Sequence, residues 1–159
     1  MVTSNRLRSV ATATLIAMAA AMPPAMADES MSAITGHWHV AKVAVPDSGV
    51  QALVDNDPSL MGKRLTFTSA QLVWNQMPST GDVCTSPSFE QLDQLSQDVR
   101  PELRKLGMRQ PVAYTLHCRS GGWGPSREPT IYQGAAGALA LPWYDGTMLM
   151  LVRDPGKRP

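Results

Sequence analysis

Ile34-Thr35-Gly36-His37-Trp38-His39-Val40-Ala41-Lys42-Val43-Ala44-Val45 reads as a β-strand. Gly36, Trp38 and Val40 alternate on one face, as a half-buried strand requires. The alternation then slips. Lys42 falls on the Trp38 face, while Val43 and Val45 fall on the other. One extra residue, a β-bulge, repairs such a slip and bends the strand, which suits a small barrel.

The pattern continues downstream. Pro46-Asp47-Ser48-Gly49 is a turn by composition. Val50 to Met61 is ambiguous, with a short helical turn at Ala52-Leu53-Val54 as one reading. Leu65 and Phe67 alternate with threonines, and Leu72 to Trp74 follows closely, so the two runs predict a hairpin across Ser69-Ala70-Gln71. In Val112 to Arg119, Tyr114, Leu116 and Cys118 share a face. Thr130 to Gln133, Ala138 to Trp143 and Met148 to Arg153 are further strands, and Asp145-Gly146 is a hairpin turn between the last two.

Between the cysteines the period changes. Phe89, Leu92, Leu95, Val99, Leu103 and Leu106 recur at three- and four-residue spacings, which predicts a helical segment over residues 88–107. Ser88 with Gln91 resembles a capping box, Pro101 opens a second short helix, and Gly107 stops it. Asp93, Asp98, Glu102, Arg104 and Lys105 read as its solvated face. The expected fold is mainly β: a small antiparallel barrel with one inserted helical segment covering an end or a side.

The chain has 159 residues, enough for one domain, with 43% hydrophobic residues and a net charge of +1. That composition excludes a disordered chain, and the balanced charge argues against nucleic-acid binding. Arg6 and Arg8 precede an apolar run from Val10 to Met22, then Pro23-Pro24 and Ala25-Met26-Ala27. A basic start, a short apolar core and a small-x-small site predict a signal peptide over 1–27, cleaved after Ala27. The run is shorter than the roughly 20 residues a membrane span needs. Without Arg6 and Arg8, residues 28–159 carry a net charge of −1 and form the single folded domain. The expected location is the periplasm or the medium, as a monomer without a membrane span. In an oxidising compartment Cys84 and Cys118 pair as one disulfide.

Gly36-His37-Trp38 is a G-x-W on the first strand, and Arg153 lies on the last. This pair resembles lipocalin-like (calycin) barrels, in which the tryptophan sits at the closed end and an arginine from the last strand packs across its ring. The resemblance implies a cation–π contact between Trp38 and Arg153. Small bacterial periplasmic barrels that inhibit secreted metalloproteases are similar in size, G-x-W and single disulfide. They insert an N-terminal segment into the protease cleft, a position that Asp28 to Ser32 would occupy here.

Candidate sites are few. Ser120-Gly121-Gly122-Trp123-Gly124-Pro125 is a glycine-rich loop around a tryptophan. Either Trp123 folds over the barrel mouth, or Trp123 with Gly121, Gly122 and Gly124 forms a partner-binding anchor. His37 and His39 lie at i and i+2, and with His117 they would make a three-histidine metal site only if the fold gathers them. The reading adopted is no metal and no cofactor. Asp55-Asn56-Asp57 is similar to a calcium loop but lacks its glycine and distal glutamate, so a turn is expected. Trp143, Tyr144, Met148 and Met150 form an apolar group that packs as core or lines a cavity. G-x-S-x-G, H-E-x-x-H and phosphate-loop patterns are absent from the sequence. The expectation is an exported non-enzymatic binding protein, an inhibitor or immunity factor for an exported hydrolase. The alternative is a lipocalin-type carrier of a small apolar ligand.

Overall fold

The structure, a computed structural model, describes residues 27–75 and 82–155, with side chains from residue 31 onward. The expected signal peptide therefore lies outside the described residues, apart from Ala27. The elements are α1 (Ala27–Ile34), β1 (Gly36–Ala44), β2 (Arg64–Phe67), β3 (Gln71–Trp74), β4 (Val83–Thr85) and β5 (Ser88–Leu92). They continue with α2 (Arg100–Lys105), β6 (Val112–His117), β7 (Ser120–Gly121), β8 (Thr130–Gln133), β9 (Leu139–Pro142) and β10 (Met148–Arg153).

The ten strands are antiparallel and form one sheet, in the order β5-β6-β8-β9-β10-β1-β2-β3-β4-β7. The first strand thus pairs with the last. The two ends of this order also meet. β4 and β5 are successive pieces of one segment bent at Ser86 (φ 44°), and β6 and β7 are pieces of another. The two segments stay hydrogen-bonded across the bend. Ser88 faces His117, the Arg119 N–H donates to the Thr85 carbonyl at 2.9 Å, and Thr85 faces Ser120. The sheet curls round as a small β-barrel whose seam lies at β4 and β7.

Registers follow from the side chains. Trp38 and Val40 point inward, and the pairing with β10 shifts between Val40 and Lys42, which places the bulge at Ala41. Beyond it Val43 returns to the inner core. The β2–β3 hairpin turns on Thr68, whose Oγ1 accepts from the Ala70 and Gln71 N–H groups. Asp145 (φ 56°) and Gly146 (φ 72°) form the left-handed pair that a tight hairpin between β9 and β10 requires.

Alternation along the strands produces two apolar clusters. The inner one contains Trp38, Leu65, Leu116, Leu139, Leu141 and Leu149 among others. The outer one lies between α2 and the barrel wall. Leu103, Leu106 and Met108 there pack on Ala44, Ala113, Ala140 and Met148. Small alanines on the wall let the covering segment sit close. Each fully buried aliphatic side chain contributes about 1.5–3 kcal/mol.

The helical expectation over residues 88–107 holds only in part. Ser88–Leu92 is a strand paired with β6, and only Arg100–Lys105 is α-helical. The reason lies in the two clusters. In a strand, Phe89 and Leu92 point to opposite faces, and each finds apolar contact. Phe89 packs against the inner cluster and Leu92 against the outer one. Ser88 and Gln91 therefore cap no helix. Pro101 does sit in the first turn of α2, and Gly107 (φ 82°) follows its end. Asp28 to Ser32, the segment that the protease-inhibitor resemblance places in a cleft, belong to α1. That helix packs against β5, and Ile34 at its end is fully buried.

Candidate functional site

Where β1 begins, two side chains and the end of α1 interlock. The Arg153 guanidinium stands 4.4 Å from the centre of the Trp38 ring. It also donates to the Ala33 and Thr35 carbonyls, and Trp38 Nε1 donates to the Ile34 carbonyl at 2.9 Å. These acceptors lie at and just past the end of α1, where helix carbonyls lack partners of their own. Gly36 (φ 146°) permits the arrangement, because a Cβ there would fall 2.4 Å from Arg153 Nη1. Cys84 and Cys118 form the disulfide, with Cα atoms 5.1 Å apart, and it ties β4 to the residue after β6.

The glycine-rich loop differs from its exposed reading. Trp123 is 0% exposed and stacks on Trp74 at 5.3 Å, with Trp143 at 6.2 Å. It presents no face to a partner, so the surface-anchor expectation for Trp123 is corrected. Its ring is core because the inner cluster leaves a slot between two other indoles. The glycines serve the backbone. A Cβ on Gly121 (φ 80°) would lie 1.9 Å from the Val83 carbonyl oxygen. Gly122 N–H donates to that same oxygen at 3.2 Å. Gly124 N–H donates to Asp82 Oδ1 at 3.0 Å, and Tyr144 OH donates to it at 3.3 Å. Burial, with Asp82 second, pushes the Tyr144 phenol up. Asp82 Oδ2 and the Nε1 atoms of Trp74 and Trp123 are buried without hydrogen-bond partners. What this loop exposes is its rim, where Arg119, Ser120, Arg127 and Glu128 border a surface hollow of about 490 Å³.

The histidines stay separate. His37 Nδ1 meets Thr66 Oγ1 at 3.1 Å. His39 Nδ1 meets Asp154 Oδ1 at 2.7 Å, and Arg64 Nε lies 3.5 Å from Oδ2 of that carboxylate. His117 sits between Glu128 at 3.1 Å and Glu90 at 3.2 Å, and these hydrogen bonds, Glu128 first, raise its pKa. Among the described residues no group of three side chains is placed to hold a metal. Asp55-Asn56-Asp57 is a turn. Asp57 Oδ1 accepts from the Ser59 N–H and hydroxyl, and Asp55 and Asn56 accept from the Val45 and Val43 N–H groups. The four residues at the last hairpin divide. Trp143 joins the inner cluster, Met148 and Met150 the outer, and Tyr144 is 40% exposed.

A further feature adjoins α2, where Glu102, expected on the solvated face, is instead buried and Arg104 is exposed. Around α2 a hollow of about 390 Å³ has Leu95, Leu103 and Met108 as its floor and Arg100, Arg104 and Arg109 on its walls. A second hollow, of about 410 Å³, shares Leu95, Arg100 and Pro111 with it. Lys105 holds α2 in place by donating to the Val45 carbonyl at 2.6 Å and to Asp47 at 2.7 Å. The signal in the sequence was the cluster of Arg100, Arg104 and Arg109 among Leu103, Leu106 and Met108.

The chain matches no family model, no curated protein and no solved structure. Among the described residues no helix is long and apolar enough to cross a membrane.

Proposed function

We propose that the protein is an exported, non-enzymatic, lipocalin-like binding protein that acts through its outer surface on another protein. The favoured partner is an exported hydrolase, which it restrains as an inhibitor or immunity factor. The observation that carries this reading is the inner core. Trp38, Trp74, Trp123 and Trp143 all belong to it, together with layers of leucine. A barrel filled by its own side chains meets its partner outside, which favours this reading over an apolar-ligand carrier. The disulfide fits an oxidising compartment. The exposed rim at Arg119, Arg127 and Glu128 offers charged groups for the contact.

The test is capture with the tagged full chain from extracytoplasmic extract of source cells, followed by assay of the recovered protein. The expected result is a hydrolase whose activity falls on stoichiometric addition of this protein. Arg119→Glu with Arg127→Glu should weaken that inhibition about tenfold or more. Recovery of no hydrolase, or of one that stays fully active when bound, refutes the reading.

A further inference from the structure

We infer that the hollow beside α2 is a binding site for an organic anion with an apolar body, an amphiphile carrying one carboxylate or phosphate. Three observations converge on it. First, Arg100, Arg104 and Arg109 line one hollow and make no ion pair among the described residues. The neighbouring basic group on α2 is engaged: Lys105 is held by Asp47 and the Val45 carbonyl. Second, no acidic side chain lines this hollow, whereas Asp93 lines the neighbouring one. The anionic group therefore belongs in the first. Third, the floor is apolar. Leu103 is 2% and Met108 7% exposed, and both are fixed in the outer cluster.

The chemistry selects the ligand. A guanidinium fork matches a carboxylate or phosphate with two parallel N–H···O bonds, and three of them favour an anion over any neutral group. A volume of about 390 Å³ suits a small organic molecule. The leucine and methionine floor takes an acyl or aromatic body, and methionine adapts to its shape. Lys105 fixes α2 beside the end of β1, so the helix that carries Arg100 and Arg104 has a set position next to the hollow.

Isothermal titration of the purified protein with decanoate, decyl phosphate and decanol, below micelle-forming concentrations, tests this. One decanoate or decyl phosphate should bind per chain, and decanol at least about tenfold more weakly. Whichever anion binds tighter identifies the head group. Replacing Arg100, Arg104 and Arg109 by Gln should weaken anion binding about a hundredfold while leaving the thermal midpoint in place. Should the triple variant misfold, Arg104→Gln alone should weaken it about tenfold, with amide NMR shifts from the ligand confined to residues 95–111. Arg119→Gln with Arg127→Gln, at the separate hollow, should bind as the parent does. Equal binding of decanol, or equal loss in both sets of variants, overturns the inference.

Discussion

Gly36 has no side chain because Arg153 occupies the space one would need. The guanidinium lies there to cover Trp38 and to receive the carbonyls that end α1. Gly36→Ala forces Arg153 aside and puts an L-residue at a φ of 146°. We expect a loss of about 1–3 kcal/mol in urea denaturation. A variant as stable as the parent would show that Arg153 moves without consequence. The Trp38–Arg153 contact was legible only through the resemblance of its G-x-W and arginine to lipocalin-like barrels; the helix-end carbonyls that Arg153 meets were not. Nor was the position of Trp123. Its neighbours Gly121, Gly122 and Gly124 read as a loose surface loop. The groups that draw it inward, Trp74, Trp143 and the Asp82 carboxylate that holds Gly124, are all distant in sequence. The same limit hid the proposed anion site, because Arg100, Arg104 and Arg109 are scattered charges along the sequence until their shared hollow is seen.

At the scale of elements, β5 shows how a period misleads. Apolar residues three apart mark one face of a helix, yet here they mark two faces of a strand with a core on each side. The β-barrel itself was legible, since most strands alternate and the Asp145-Gly146 turn is specific. The 88–92 strand was not, because its outer contact comes from a segment that folds back over the wall. His117 gives β5 a pH-dependent tie, as it links Glu90 on that strand to Glu128 beyond β7. Its pKa is raised in the folded state, above the ordinary 6.5. Such a group contributes its full stabilisation below pH 6.5 and loses it as pH rises through the folded value. The pair is half-exposed, so the effect is small and local. Amide exchange in β5, corrected for intrinsic rates, should show less protection at pH 8 than at about pH 6. His117→Gln should remove that difference. An unchanged difference in the variant would assign it to another group.

For the molecule as a whole, the seam is where closure is weakest. β4 and β7 are short, and Cys84–Cys118 fastens them. The bridge spans 34 positions, and its loop entropy is about 3–4 kcal/mol. Reduced protein should be about 2–4 kcal/mol less stable than oxidised protein in urea. A difference below about 1 kcal/mol would place the strength of the seam in its hydrogen bonds. The disulfide was legible from two cysteines and the expectation of export; its location at the seam was not, because the bend at Ser86 leaves no mark in composition. The ring of strands also sets an order in time. Trp38 pairs with Arg153, so β1 waits for the last strand before its hydrogen bonds are complete. A chain made from its N-terminus holds that edge open until β10 has emerged. High-separation pairing of this kind also makes folding slow. A truncation just before Met148 would thus strip β1 of its partner and expose an unpaired edge to other chains.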